Sequence, residues 1–257
     1  MKATPPDEAA GFAPLDPQLV LGAYSVGVVP MADSRDADSV YWVEPTERAI
    51  LPLDGFHLSH SLRKTLASDR FRVTADTAFE EVIALCAESA DGRSDTWINP
   101  QIERASIELH RLGFAHSIEV WDGDQLVGGL YGMALGRAFF GESMVSRARD
   151  ASKVALAWLV ARLKVGRFTL LDCQFMTPHL ESLGAVEIPR SAYLGLLSGA
   201  VEGAVGAGAS AAGAAAAAGD FFALDRGAPS WPSVFPAGTE SGPLVGKVIA
   251  QLLVHTS

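Results

Sequence analysis

Apolar side chains recur at the spacing of one helix face in three stretches of this chain. The first stretch carries apolar residues at positions i, i+3, i+4 and i+7, namely Phe79, Val82, Ile83 and Cys86. This period is typical of an amphipathic helix. Residues 77–80 read Thr-Ala-Phe-Glu, which predicts a capping box in which Thr77 caps the helix. Gly92 predicts the end of the helix.

Two further helices are predicted by the same apolar spacing together with boundary residues. The pair Asn99-Pro100 combines a helix-capping side chain with a first-turn proline, and Gly113 marks the end of that second helix. A third helix follows a cap at Asp150 or Ser152 and ends at Gly166. The apolar faces of these two helices are, in order, Ile102, Ala105 and Leu109, and then Leu156, Leu159, Val160 and Leu163.

Strands are predicted where apolar and polar residues alternate and where short apolar runs end at turn residues. Residues 122–124 read Asp-Gly-Asp, which is typical of a hairpin turn between two antiparallel strands. A short helix over residues 178–183 separates the last two strands. The predicted strands are 117–121, 126–135, 138–144, 168–174 and 185–188. This order of helices around an antiparallel meander predicts the α+β class, with a central, largely antiparallel sheet.

The chain divides by composition into segments of different regularity. We predict a disordered tail over residues 1–15 and a small, irregular N-terminal domain over residues 16–58, where four prolines interrupt short apolar runs. Residues 59–197 carry the strong periodicity and form the main domain. Residues 198–220 are rich in alanine and glycine, which predicts a flexible linker. We expect the C-terminal tail, residues 221–257, to dock back on the core through its apolar residues.

The composition is that of a globular protein, because 257 residues with 49% hydrophobic content are enough to fill a core. The sequence contains no run of 18 apolar residues, the length that would be needed to span a membrane. The N-terminus has no apolar signal segment. Cys86 and Cys173 are the only cysteines, and we expect both to be reduced and buried. We therefore expect a soluble, cytoplasmic monomer without a membrane partner.

The net charge of −10 argues against a nucleic-acid partner, but the charge is unevenly distributed. Residues 136–167 carry seven basic side chains against two acidic ones, and residues 59–72 carry four against one. Phosphate binding depends on local potential. These two basic segments are therefore either weak, salt-sensitive RNA-binding surfaces or ordinary solvated helix faces.

Two short segments place polar side chains among apolar residues. Residues 141–144 read Gly-Glu-Ser-Met, and residues 170–174, which contain Asp172 and Gln174, read Leu-Leu-Asp-Cys-Gln. Because residues two apart share a face of a strand, we expect Asp172 and Gln174 to point the same way. A carboxylate in apolar surroundings is costly unless it is paired or used. The pair either hydrogen-bonds neighbouring loops or belongs to an active site.

Other catalytic patterns are excluded by the same residues. Val145 stands where a hydrolase nucleophile elbow needs its second glycine. The six histidines show no metal-ligand spacing, so no metal site is predicted.

Five segments of the chain resemble the leucyl/phenylalanyl-tRNA–protein transferase family. They are residues 141–144 and 170–174, described above, together with residues 42–45 (Trp-Val-Glu-Pro), 96–99 (Thr-Trp-Ile-Asn) and 182–190. The resemblance runs from about residue 19 to residue 197. It implies a GNAT-like acyltransferase domain that needs no cofactor. It also implies transfer of Leu, Phe or Met from aminoacyl-tRNA to the N-terminal Arg or Lys of acceptor proteins, which marks them for N-end rule degradation. The reaction is aminolysis of the aminoacyl ester.

The resemblance also implies roles for individual residues. Asp172, Gln174 and Glu142 are the expected catalytic residues, and which carboxylate performs which task stays open. Trp97 is expected to stack on the terminal adenosine of tRNA, whereas His60, Arg63 and Lys64 are expected to contact tRNA phosphates. The expected pocket for the aminoacyl side chain consists of Leu130, Phe139, Met144, Leu156, Leu159, Leu163 and Leu171.

Two positions depart from the family pattern. Met31 stands where the family often has an aromatic residue, which weakens stacking on the adenosine. His60 stands where the family commonly has arginine, which thins the basic patch and puts the affinity for tRNA in doubt.

The main alternative is a GNAT-type N-acetyltransferase that uses acetyl-CoA. That class places a glycine-containing pyrophosphate loop before the central helix, and residues 147–152 (Arg-Ala-Arg-Asp-Ala-Ser) contain no glycine. A third alternative is a peptide-binding module for basic N-termini, which would need the acidic pocket but not Trp97 or the basic segments.

Overall fold

The computed structural model describes residues 14–88, 96–202, 218–227 and 245–254. Within these ranges the helices are α1 Pro17–Ser25, α2 His60–Ala67, α3 Phe79–Ala87, α4 Pro100–Arg111, α5 Ala151–Val165, α6 Pro178–Glu181, α7 Arg190–Val201 and α8 Gly246–Val254. The strands are β1 Val29–Met31, β2 Tyr41–Val43, β3 Glu47–Ile50, β4 Arg72–Ala75, β5 Ala115–Asp122, β6 Gln125–Leu135, β7 Ala138–Ser146, β8 Leu170–Gln174 and β9 Val186–Pro189.

A seven-stranded sheet in the order β4-β5-β6-β7-β8-β3-β9 forms the centre of the protein. All neighbouring strands are antiparallel except β7 and β8, which are parallel and are joined through α5. A parallel pair needs a crossover connection, and the 15-residue helix α5 supplies it. The α+β class with a large, mostly antiparallel sheet is thereby confirmed.

The separate N-terminal domain is not confirmed. Strand β3, which lies within residues 16–58, is inserted between β8 and β9 of the large sheet. Helix α1 packs against α4. Among the described strands, only β1 and β2 form a sheet of their own. The prolines that suggested an irregular lobe therefore interrupt a segment that is built into the main sheet.

Buried apolar residues form one cluster on each face of the large sheet. Adjacent residues of β6 face opposite ways, so Leu130 belongs to the cluster beneath α5 and Tyr131 to the cluster beneath α3 and α4. The three residues predicted for the apolar face of α4, namely Ile102, Ala105 and Leu109, are all buried. Helices α2 and α8 complete the α5 side, because both contact α5 and each other.

The helix boundaries correct two capping predictions. Ala78, not Thr77, is the N-cap of α3, and it makes no side-chain capping bond. The Thr77 hydroxyl instead donates to the buried Glu119 carboxylate at 3.0 Å, because a buried charge competes for it more strongly than a helix end does. The predicted end at Gly92 lies outside the described residues; the described part of α3 ends at Ala87.

The start of α5 is also capped differently from the prediction. Asp150 occupies the N-cap position in a left-handed conformation (φ 67°) and makes no side-chain capping bond. The Ser146 hydroxyl, from the end of β7, accepts the backbone N–H of Ser152 at 3.2 Å. By contrast, the Asn99 cap is confirmed: its side-chain oxygen accepts the N–H groups of Gln101 and Ile102 at 3.1 and 3.0 Å.

The predicted linker begins too early, because residues 198–201 form the last turn of α7. Residues 203–217 lie outside the described ranges. The Asp220 N–H donates to the Gly166 carbonyl at 2.9 Å, so the end of the predicted linker is held against the core. The described parts of the C-terminal tail, residues 221–227 and 245–254, dock on the core as predicted: the Phe221 ring stacks on those of His116 and Phe139, with centroid distances of 4.1 and 5.8 Å, and α8 contacts α2 and α5.

Both cysteines are free thiols; Cys86 is buried, as predicted, whereas Cys173 is only partly buried. Across the four described ranges, no helix has the length and apolar character that crossing a membrane requires.

Candidate active site

A cavity of about 270 Å³ lies where β6, β7 and β8 meet the first half of α5 and the loop after β8. One wall is apolar and consists of Leu130, Met144, Leu156, Leu159, Leu171 and Leu180. The lining also contains polar side chains, among them Glu142, Gln174 and His179. Met31, Trp97 and Phe175 contribute large side chains to the lining. A cavity of this size suits a single amino-acid-sized group.

Five of the seven residues predicted for an apolar pocket line this cavity; Phe139 and Leu163 do not. Phe139 and Leu163 are both fully buried in the core. Phe139 lies between Phe221 and Phe168, at ring distances of 5.8 and 6.4 Å. Leu163 lies one helical turn beyond Leu159, about 6 Å further along α5, and belongs to the same buried cluster as Phe221 and Leu224 of the C-terminal tail.

Glu142 and Gln174 are brought together by hydrogen bonds from the two neighbouring strands and α1. The Gln174 Nε2 donates to Glu142 Oε1 at 2.9 Å, and the Tyr24 hydroxyl donates to the same oxygen at 2.7 Å. No hydrogen bond from the described residues reaches Glu142 Oε2. Since the Gln174 amide nitrogen is directed to Glu142, its side-chain oxygen is available as an acceptor toward the cavity.

Burial raises the pKa of Glu142 from its ordinary value of 4.5 to about 7. The hydrogen bonds from Tyr24 and Gln174 act in the opposite direction, because they stabilise the ionised carboxylate. Asp172 raises this pKa further through its negative charge, and Arg48 lowers it. Glu142 is therefore able to take up and release a proton near neutral pH.

Asp172 is fully buried and does not line the cavity. Its carboxylate accepts bonds from Arg48 Nε at 3.0 and 3.1 Å and from Arg48 Nη2 at 2.7 Å. The Tyr193 hydroxyl donates to it at 2.8 Å, and the backbone N–H of Gln174 at 2.8 Å. Of the two carboxylates that the sequence singled out, only Glu142 faces the cavity.

The alternation rule for strands does not hold at the end of β8. Gln174 has a positive φ of 63°, so the backbone turns at the residue whose side chain was expected to share a face with Asp172. Asp172 contacts the backbone of Gln174, whereas the Gln174 side chain contacts Glu142. The left-handed conformation is unusual for glutamine, and the bond from Asp172 stabilises it.

Sequence reasoning missed Tyr24, Arg48 and Tyr193. Tyr24 and Glu142 are 118 residues apart, and Arg48 and Asp172 are 124 residues apart, so no local spacing connects them. One signal was present: Arg48 directly precedes the apolar run Ala49-Ile50-Leu51. An arginine at a buried strand position indicates a buried acidic partner.

The residues predicted to contact tRNA fall in two places. Trp97 lines the cavity. His60, Arg63 and Lys64 are exposed on α2 and line a separate surface depression with Ala67. His60 follows the capping residue Ser59 and points to solvent, not into the core.

The basic segment 136–167 is largely neutralised by ion pairs. Arg162 is buried and pairs with Asp225, at 2.9 Å between Nη2 and Oδ1. Lys164 pairs with Asp54 at 2.9 Å, and Arg147 pairs with Glu88. The positive charge available to a ligand in this segment is therefore smaller than its composition suggests. Within the described residues, no three His, Cys, Asp or Glu side chains converge as a metal site would require.

Comparison with known proteins places this site in a family. The family described as leucyl/phenylalanyl-tRNA protein transferase matches residues 50–198, which include Glu142, Asp172 and Gln174. A protein of that name from Rhizorhabdus wittichii is 61% identical over 249 residues, covering 95% of this chain and 99% of its own. Another from Zymomonas mobilis is 64% identical over 187 residues, covering 73% and 70% of the two chains. A third from Novosphingobium aromaticivorans is 51% identical over 257 residues, covering 95% and 97%.

Proposed function

The chain belongs to the leucyl/phenylalanyl-tRNA–protein transferase family, and from this we propose that it transfers Leu, Phe or Met from aminoacyl-tRNA to acceptor proteins. The acceptors are proteins with N-terminal Arg or Lys, and the product is marked for N-end rule degradation. The observation that carries the proposal is the cavity whose lining combines the apolar wall with the hydrogen-bonded Glu142–Gln174 pair. The transferred amino acid needs an apolar surface for its side chain, and the attacking amine needs polar groups beside it. The cavity provides both.

Gln174 and Glu142 are the groups that contact the reacting atoms. A protein α-amine has an ordinary pKa of about 7.7–8.0, so part of it is neutral and nucleophilic near neutral pH. The Gln174 side-chain oxygen accepts a hydrogen bond from this amine and directs its lone pair at the ester carbonyl. Alignment of this kind supplies about 7–11 kcal/mol in favourable geometry.

Glu142 carries the proton. As the carbon–nitrogen bond forms, the amine becomes acidic, and Glu142 Oε2 takes up one of its protons. The bond between the carbonyl carbon and the ribose oxygen then breaks, and the proton leaves with that oxygen. A pKa of about 7 suits both steps, because the group is then neither too weak a base nor too weak an acid.

The apolar wall selects the transferred amino acid. Leu130, Met144 and Leu159 line it together with Leu156 and Leu171, and all of these are flexible or branched aliphatic side chains. One methylene is worth only about 1–3 kcal/mol in such a pocket. We therefore propose that Leu, Phe and Met are all accepted.

The tRNA contacts extend from the cavity to α2. Trp97, which lines the cavity, stacks on the terminal adenosine, and Met31 lies in the same lining. His60, Arg63 and Lys64 contact the phosphate backbone from their exposed helix. We propose that the protein acts as a monomer, and the use of aminoacyl-tRNA fits the cytoplasm.

The fold is GNAT-like in this proposal. Its support is the antiparallel meander β5-β6-β7, followed by α5 and the parallel pairing of β8 with β7. The aminoacyl ester would then lie near the place where β7 and β8 separate, beside Glu142 and Gln174.

The test is a transfer assay with purified protein. We expect labelled leucine to pass from leucyl-tRNA to a peptide beginning with Arg, and not to the same peptide with an acetylated N-terminus. Gln174→Ala is the matched control, because it removes the amide without changing the apolar wall. Transfer of acetyl from acetyl-CoA, with none from leucyl-tRNA, would identify an acetyltransferase instead.

A further inference from the structure

We propose that Arg48 is a positioning residue that fixes Gln174 and Glu142 relative to each other. Its guanidinium joins the end of β8, which presents Gln174, to the end of α1, which holds Glu142 through Tyr24. The inference rests on the proposed function, in which Gln174 and Glu142 contact the reacting atoms.

The first branch runs from Arg48 to Gln174. Arg48 Nε and Nη2 bind the Asp172 carboxylate at 3.0 and 2.7 Å. The same carboxylate accepts the backbone N–H of Gln174 at 2.8 Å. Because the φ of Gln174 is 63°, its backbone depends on such a bond for its unusual conformation. Arg48 thus sets the direction of the Gln174 side chain without touching it.

The second branch runs from Arg48 to Glu142. Arg48 Nη1 donates to the carbonyl of Gly27 at 3.1 Å. Gly27 has a φ of 81°, and its N–H donates to the carbonyl of Tyr24 at 3.1 Å, closing the end of α1. The Tyr24 hydroxyl in turn donates to Glu142 at 2.7 Å. Arg48 therefore ties down the helix end that carries Tyr24.

Tyr193 of α7 contacts both Arg48 and its partner Asp172. Its ring lies 4.6 Å from the Arg48 guanidinium, and its hydroxyl donates to Asp172 at 2.8 Å. A Cβ at position 27 would lie 3.0 Å from the Tyr193 ring, so the ring also packs directly on Gly27. One side chain from α7 thus holds both ends of the Arg48 network.

Only arginine fits this position. A planar guanidinium donates in several directions at once, and Arg48 uses three nitrogens for two partners on different elements. A lysine at the same place keeps the charge but has a single nitrogen. Arg48 and Asp172 are both at most 1% exposed, so water does not replace a missing donor.

Arg48 also acts on Glu142 through charge, which provides a second measurable effect. Four groups surround Glu142: Tyr24 from α1, Tyr131 from β6, Asp172 from β8 and Arg48 from β3. Burial raises the pKa of both tyrosines well above its usual value, so they stay neutral, whereas Asp172 and Arg48 act on Glu142 through charge. Arg48 is the only cation among these four, and it lowers the pKa of Glu142, whereas Asp172 raises it. Replacing Arg48 by a neutral residue leaves the Asp172 charge uncompensated.

The test compares Arg48→Lys, Tyr193→Phe and Arg48→Gln with a matched control, Arg162→Lys. Arg162 is likewise buried, paired with an aspartate, bonded to the Phe221 carbonyl and packed on an aromatic ring, but it lies outside the cavity. We expect Arg48→Lys to lower kcat by up to about 10²-fold, as small misplacements of reacting groups do. KM for leucyl-tRNA stays unchanged. Tyr193→Phe, which loses one bond, lowers kcat less, and Arg162→Lys lowers only the melting temperature.

A titration of Glu142 by carbon NMR supplies a readout that does not depend on transfer. We expect its midpoint to be unchanged in Arg48→Lys and raised in Arg48→Gln. Absence of transfer by the wild-type protein would overturn the proposed function, and the titration would still test the Arg48 network. Wild-type kcat in folded Arg48→Lys and Tyr193→Phe, or an equal loss of kcat in Arg162→Lys, would overturn the positioning role. If Arg48→Gln does not fold, the other two variants decide the question.

Discussion

Tyr24→Phe removes one hydroxyl from the site and keeps the ring, and we expect it to move the pH dependence of transfer upward. The lost bond is the 2.7 Å contact to Glu142 Oε1. The ring stays in place because Tyr24 is 1% exposed and packs edge-on against Phe140 at 4.9 Å. The change therefore acts on the ionisation of Glu142 more than on the packing of α1.

The size of the effect follows from the energy of a hydrogen bond to a charged group. Such a bond is worth about 1.5–3 kcal/mol, and one pKa unit corresponds to about 1.4 kcal/mol. Because the Tyr24 bond lowers the pKa of Glu142, which is about 7, its loss raises that pKa by roughly one to two units. At pH 7 the ionised fraction then falls from about one half to about a tenth or a hundredth.

The assay is single-turnover transfer of leucine to a peptide beginning with Arg, measured from pH 6 to pH 9.5 and corrected for hydrolysis of the ester without protein. We expect a roughly 5- to 50-fold lower rate at pH 7 and recovery toward the wild-type rate at high pH, as the ionised fraction requires. The titration of the attacking amine is the same in both proteins, so the difference between the two profiles belongs to Glu142.

Glu142→Gln provides the control. In that background Tyr24→Phe should cause no further shift, because the group that the hydroxyl stabilises is gone. An unchanged pH profile in Tyr24→Phe, or a lower rate that does not recover at high pH, would refute the assignment of Glu142 as the proton carrier.

Three further predictions concern stability, donor selection and tRNA. The pKa of Glu142 is raised to about 7 in the folded protein, so its contribution to stability is fully present below about pH 4.5 and is lost as pH rises through 7. We therefore expect Glu142→Gln to be more stable than wild type at pH 8, by up to about 3 kcal/mol. Denaturant titrations should show a smaller difference between the two proteins at pH 5. Leu159→Ala should weaken the use of leucyl-tRNA by about 1–3 kcal/mol without changing the affinity for uncharged tRNA, and an equal loss for both would make Leu159 ordinary core. His60→Arg, on the exposed start of α2, should tighten tRNA binding at pH 8 and steepen its salt dependence by about one phosphate contact; unchanged binding at two salt concentrations would exclude a phosphate role.

Local patterns in the sequence were sufficient where the determining contacts lie within a few residues. Asn99 caps α4 through the N–H groups two and three residues ahead, so the residue type and its position are enough to predict it. The apolar stripe of α5 predicted Leu156 and Leu159 in the same way, and both line the cavity. The same stripe also predicted Leu163, because periodicity identifies a helix face but not where along that face the core leaves a gap.

The roles of the polar residues were decided by the order of strands. Glu142 and Gln174 come together because β7 and β8 are neighbours in the sheet, and Asp172 is withdrawn from the cavity because β3 inserts beside β8 and brings Arg48 to it. A sequence states that a carboxylate needs a partner, since an unpaired charge is costly in a core. It does not state which partner, when the candidates lie more than a hundred residues away and the sheet order selects among them.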